Sequence, residues 1–162
     1  MKKLCFTAVL AVFAAACMFK PLPEVPTLGE VKLPVVAEEE TVWTSTDYKG
    51  KPVLMVFMGS WCPWCKKSMP AVMAAEEKYG DQVEIVAVFM DNDAEAVAKA
   101  AKEHGFTVTA LYEGGEVAQS LDVNGLPHAI LFDKKHRAIK HWEGFSPSLG
   151  DEFQTQLADV TK

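Results

Sequence analysis

Val53-Leu54-Met55-Val56-Phe57-Met58-Gly59-Ser60-Trp61-Cys62-Pro63-Trp64-Cys65-Lys66-Lys67 joins a continuous apolar run to two cysteines two residues apart. Six apolar residues in a row predict a strand buried on both faces. From Lys66 to Tyr79 the composition is helical, with Gly80-Asp81 to end the helix. Cys62 then falls at the N-cap and Pro63 at the first helical position, where a missing N–H leaves no bond unmade. A sulfur at that point faces unpaired backbone N–H groups and the positive end of the helix dipole. Lys66 and Lys67 add positive charge, and all of these favour the ionised form of Cys62. Such a cysteine pair at a strand-to-helix junction reads as a site of thiol–disulfide exchange.

Three other uses of the pair fit less well. A purely structural disulfide closing so small a loop restrains the unfolded chain by only roughly 2 kcal/mol, against about 4.7 for a loop of 100 residues. Zinc normally takes four ligands, and the only other cysteines are Cys5 and Cys17, near the N-terminus. Covalent haem attachment wants histidine directly after the second cysteine, and that residue is Lys66.

Working outward, the chain has 162 residues, 49% hydrophobic and 23% charged, which fits one domain with a proper core. The net charge is −6 and there is no basic stripe, so nucleic acid is not an expected partner. Met1-Lys2-Lys3 followed by Leu4 to Ala16 has the charged start and short apolar centre of an export signal, and is short for a transmembrane span. Residues 1–16 are therefore expected to be a signal peptide. Ala14-Ala15-Ala16 before Cys17 also resembles a bacterial lipoprotein signal, with Cys17 the lipidated first mature residue; cleavage without lipidation and an uncleaved anchor are the alternatives. Pro21, Pro23, Pro26 and Pro34 make residues 17–40 read as an extended tether, with Glu38-Glu39-Glu40 a solvated acidic patch. On this reading the folded domain is 41–162 and its body is exported, in the periplasm or cell envelope.

Within that domain, Thr41 to Thr44 predicts a short strand and Val83 to Met90 a second buried strand, completing a parallel strand–helix–strand unit. Asp91, Asn92 and Asp93 offer N-caps for a helix to His104, with Ala94, Val97, Ala98 and Ala101 on its apolar face. Thr107 to Tyr112 predicts a strand and Val117 to Leu121 a short helix. Pro127 to Phe132 and Ala138 to Trp142 predict an antiparallel hairpin. Ser148 to Val160 predicts a final helix, Ser148 and Asp151 resembling a capping box. Pro70, inside the first helix, predicts a kink.

The order of these elements, together with Phe57, Trp61-Cys62-Pro63-Trp64-Cys65, Lys66-Lys67, Pro70 and Gly125-Leu126-Pro127, resembles a thioredoxin-fold domain of the TlpA/ResA-like branch of bacterial thiol-disulfide oxidoreductases. The resemblance implies an α/β fold: a central mixed sheet flanked by helices, with this branch's extra strand and helix at about Val83 to His104. It implies that Pro127 follows a cis bond and that the Leu126 backbone receives a substrate strand beside the cysteines. It also implies exported clients with disulfides, apocytochrome c among them, a membrane thiol transporter as electron donor, and no cofactor beyond a Cys62–Cys65 disulfide. Three positions depart from related patterns. Val56 stands where thioredoxin has a buried Asp, Ser68 where ResA-like proteins have Glu, and Pro63-Trp64 where the TlpA branch more often ends in proline.

Cys62 is thus expected to be the nucleophile and Cys65 the resolving thiol, with Trp61 and Trp64 as substrate contacts beside Leu126 and Pro127. Pro63, Lys66 and His128 are candidates for tuning the thiol. His128 follows Pro127 and either faces the cysteines or points away along its strand. His104, His136 and His141 are expected at the surface, and the methionines Met55, Met58, Met69, Met73 and Met90 in the core, with no metal site. The same cysteines could donate disulfides instead of reducing them, or hold copper(I) as a delivery module.

Overall fold

The computed structural model describes residues 25–36, 38 and 40–162. The expected signal peptide, Cys17 and the first part of the expected tether lie outside the described residues. Among those described, no helix is long and apolar enough to cross a membrane.

The predicted central unit forms as read. Strand β3, Val53–Met58, is buried along its whole length. Helix α1, Pro63–Tyr79, follows it and continues through Pro70, whose ring lies on the exposed side. Strand β4, Glu84–Phe89, returns parallel to β3 with Met58 opposite Phe89. Helix α2, Ala94–Glu103, is capped by the Asp93 carboxylate, which accepts the Glu95 N–H, and leads to β5, Thr109–Leu111, parallel to β4. Helix α3, Gly115–Ser120, precedes β6, His128–Phe132, which runs antiparallel to β3, and β7, Ala138–Glu143, completes a hairpin with it. The sheet order is β5-β4-β3-β6-β7. Helix α4, Leu149–Val160, ends the chain, burying Leu149, Phe153 and Leu157.

Each sheet face has its own core. On one, Leu54, Val56, Met58, Ala87, Ala129 and Leu131 meet α1 and α4, and both cysteines belong to this layer. On the other, Met55, Phe57, Val86, Val88, Ile130 and Phe132 meet α3 and the N-terminal segment. That second layer corrects the expected tether. Residues 32–34 form β1, Lys32–Pro34, which pairs with β2, Val42–Thr44. Leu28, Leu33 and Trp43 are buried over the sheet, and the backbone is tied down by Leu28 N–H to His136 O and Val36 N–H to Ala110 O. An apolar face five strands wide cannot be left to water, so the folded body reaches back to Pro26, whose carbonyl accepts from Ala138 N–H. Leu33→Ala is accordingly expected to cost about 3 kcal/mol in a urea unfolding curve, a value a solvent-exposed tether leucine would not approach.

Three smaller expectations change as well. Ala98 is exposed and Ala100 is buried, so the apolar face of α2 is rotated from the predicted one. Ser148 makes no capping bond to the backbone; its hydroxyl donates to Glu152 Oε1 at 2.6 Å instead of pairing with Asp151. His136 is buried, its Nε2 3.2 Å from the Tyr48 carbonyl, because the turn after β6 folds inward onto the N-terminal segment.

Candidate active site

The end of β3 feeds the loop 59–61 and then α1, so the cysteines sit where the sheet's C-terminal edge meets a helix N-terminus. Cys62 is the N-cap, with extended backbone at φ −86° and ψ 112°, and Pro63 occupies the first turn as predicted. The Cys62 Sγ accepts the Cys65 N–H at 3.2 Å, one of the donors that a helix start leaves without an intrahelical partner. Both thiols are free. Cys62 is 8% exposed and Cys65 is 0%, so a partner approaching from solvent can meet the first sulfur and not the second. Burial, and then the hydrogen bond with the Cys62 thiol, push Cys65 up to about 12.

No carboxylate relieves that thiol at the two positions related proteins use. Val56 faces the same layer and is 1% exposed. Ser68 is fully buried, and its hydroxyl donates to the Cys65 carbonyl at 2.7 Å, a bond within the helix.

The rim is aromatic. Trp61 is 61% exposed and Trp64 53%. Trp61 lies over Gly59, where an added Cβ would come within 2.9 Å of the indole, so glycine gives the ring its seat. Lys66 is half-buried, and the Lys67 Nζ stands 4.3 Å from the Trp64 ring centre. The Leu126–Pro127 bond is cis. Phe57 pairs with His128, so Pro127 lies one residue further, level with Met58 and the start of the cysteine loop. Leu126 touches both core layers, and among the described residues its N–H and C=O carry no hydrogen bond.

His128 takes the other orientation offered by the sequence. Val56 and Ala129 face α1, so by strand alternation Phe57 and His128 face the opposite layer. Its Nε2 is 3.3 Å from His141 Nδ1, and burial, then the neighbouring His141, push its pKa down. On the far side of the sheet from the cysteine layer, His128 does not stand where it could tune Cys62, contrary to the expectation.

One contributor escaped the sequence reading, which took Asp91 only as a candidate N-cap. Asp91 is buried, and its carboxylate accepts both the Ser60 N–H, at 3.0 Å, and the Ser60 hydroxyl, fixing the loop that carries Trp61 and Cys62. The β3–β4 register contains the signal: Met58 beside Phe89 puts Ser60 beside Asp91. Asp91→Ala takes the acceptor away from both of those donors. It is expected to cost about 1–3 kcal/mol in stability and to slow exchange at Cys62, read from an unfolding curve and a disulfide-exchange assay on one preparation.

The comparisons with known proteins point the same way. The sequence profile of the Redoxin family matches residues 21–152. The chain is 35% identical over 100 residues to the thiol-disulfide oxidoreductase ResA of Bacillus thuringiensis, covering 60% of this chain and 58% of that protein. It is 30% identical over 118 residues to ResA of Bacillus anthracis, covering 72% and 65%. The chain thus spans less than two thirds of the length of these relatives. Over 118 residues it is 31% identical to a thioredoxin-like protein of Haemophilus influenzae, covering 66% and 70%. Among solved structures, one assigned as the thiol:disulfide interchange protein DsbE of Chlorobium tepidum superposes with a TM-score of 0.78 at 22% identity, over 88% of this chain and all of that one. The exposed lipoprotein thioredoxin of Streptococcus pneumoniae gives 0.71 at 22%, over 82% and all of that chain. The fold is thioredoxin-like, a central mixed five-stranded sheet flanked by helices.

Proposed function

Because this chain belongs to the Redoxin family and is similar to ResA proteins, we propose that it is a thiol-disulfide oxidoreductase that reduces disulfides of exported client proteins. The observation that carries the reading is the Cys62 sulfur at the start of α1, accepting the Cys65 N–H and still 8% exposed, while Cys65 is fully buried behind it. In the first step the Cys62 thiolate attacks one sulfur of a client disulfide. The other client sulfur leaves as a thiolate and takes up a proton, and Cys62 is joined to the client. In the second step Cys65 loses its proton and attacks the Cys62 sulfur, which releases the second client thiol and leaves a Cys62–Cys65 disulfide. The client gains two electrons and this chain loses them; an external dithiol must return them. Exposed Trp61 and Trp64 and the open Leu126 backbone support a role in receiving the client as an extended strand.

The proposal extends to place and partners. The N-terminal sequence supports export and attachment to the cell envelope through a lipidated Cys17, with a membrane thiol transporter as donor and apocytochrome c as one client. The deciding measurement is the reduction potential of the Cys62–Cys65 couple, taken together with turnover of insulin disulfides. A potential near about −270 mV with turnover fits a reductant. A value near about −120 mV reverses the direction to disulfide donation. Stoichiometric copper(I) retention without any turnover overturns the enzyme reading.

A further inference from the structure

Of the five large apolar residues that the described part leaves exposed, two are the tryptophans flanking Cys62. Trp64 does not stand free. Its ring is stacked on Phe145, with centroids 6.0 Å apart and planes 22° from parallel, and the Lys67 ammonium lies over it. Phe145 belongs to the loop between β7 and α4, and its neighbour Gly144 donates its N–H to the Pro127 carbonyl at 2.8 Å. Gly144 sits at φ +74°, a conformation that a side chain would resist, so the loop turns sharply there. Two successive residues of one loop therefore grip the two halves of the site, Gly144 holding the cis-proline strand and Phe145 the residue between the cysteines.

Resting on the oxidoreductase reading, we propose that Trp64 and Phe145 form a paired aromatic wall that selects clients carrying a large apolar or aromatic residue two positions from the reacting cysteine. A client strand paired with the Leu126 backbone presents alternate side chains on one side. When its cysteine faces Cys62, the residues two positions away face the same side, toward the exposed Trp64 two residues on from Cys62. An indole held by stacking and by a cation has already lost its rotational freedom, so an incoming ring gains contact at little ordering cost. Phe145 is a positioning residue in this scheme: it acts on the client chiefly through Trp64. A serine at the same client position would leave the wall wetted and gain nothing from it.

The test uses two peptides, each with one cysteine carrying glutathione as a mixed disulfide, and with phenylalanine or serine two positions to either side of it. The intact chain, resupplied with a dithiol, is expected to favour the phenylalanine peptide in kcat/KM by about tenfold. Phe145→Ala and Trp64→Ala should bring the ratio close to one, and Phe145→Leu should retain part of it. If Phe145 only supports the fold, Phe145→Ala lowers the melting temperature and leaves the ratio where it was, which overturns the proposal. No preference in the unmodified chain overturns it as well. Failure to reduce either peptide is a different outcome, and removes the oxidoreductase reading beneath it.

Discussion

A Cys65→Ser protein is expected to stop halfway, accumulating a covalent complex with its client that a reducing agent dissolves, while Cys62→Ser forms no such complex and loses at least ~10³-fold in exchange rate. The asymmetry follows from depth. Cys62 is the sulfur that a partner can touch, and Cys65 is fully enclosed by the apolar layer between β3 and α1. Serine is close in size to cysteine and can still accept the Cys65 N–H at the N-cap, so neither variant should lose its helix start. What each loses is a sulfur. Without the outer one no bond to the client can form; without the inner one nothing displaces the client once bound. Non-reducing electrophoresis of each variant mixed with a disulfide-bridged client separates the two cases, and mass spectrometry of the trapped species locates the bond at Cys62. Trapping at Cys65 in a Cys62→Ser protein, or undiminished turnover in that variant, would mean that the roles have been assigned to the wrong sulfurs.

The sequence made this much legible because the strand β3 and the start of α1 carry signals that need no context: six apolar residues, then an N-cap with proline behind it. What it hid depended on partners far along the chain. Leu28 and Leu33 stand among prolines with no periodicity, so nothing local says that they cover a sheet; only the exposed second face of β3, β4 and β6 demands them. The side taken by His128 is a matter of parity. Alternation says that Ala129 and His128 face opposite ways, but which one meets α1 is decided by the register with β3. Asp91 is similar, ordinary in its own stretch and informative only once β3 and β4 are aligned. In the alanine-rich α2 nothing distinguishes Ala98 from Ala100 by side chain, so the buried face had no marker. The loop that brings Phe145 onto Trp64 has no sequence pattern at all, and its role emerges only from the meeting of β7 and α1.

Release of the client should be steeply pH-dependent. Cys65 is held up to about 12, by burial first and then by the Cys62 thiol. Below that value its ionised fraction rises tenfold with every pH unit, so a resolution step that needs the thiolate should accelerate by about tenfold per unit between roughly pH 7 and pH 10. The hydrogen bond that the Cys65 thiol donates to the Cys62 sulfur weakens once Cys62 is bonded to a client, which eases Cys65 somewhat; burial, the larger cause, remains. The experiment loads Cys62 with thionitrobenzoate as a mixed disulfide and follows release of the coloured thiolate in a single turnover across the pH range. A slope near one in the logarithm of the rate is the expected result. A plateau from about pH 7 would instead show that some group takes the Cys65 proton, and it could be neither of the positions that related proteins use, since Val56 carries no acid and the Ser68 hydroxyl is committed to the Cys65 carbonyl. The stability of the dithiol form should move in the opposite sense. A folded-state value raised above the ordinary thiol value contributes stability that is complete below about pH 9 and is lost as pH rises toward 12, because the unfolded chain ionises there while the folded one resists. Alkaline conditions thus speed the chemistry and loosen the fold through the same buried sulfur, and a melting curve of the dithiol form that did not fall above pH 9 would mean that Cys65 is less enclosed in solution than its position behind Cys62 requires.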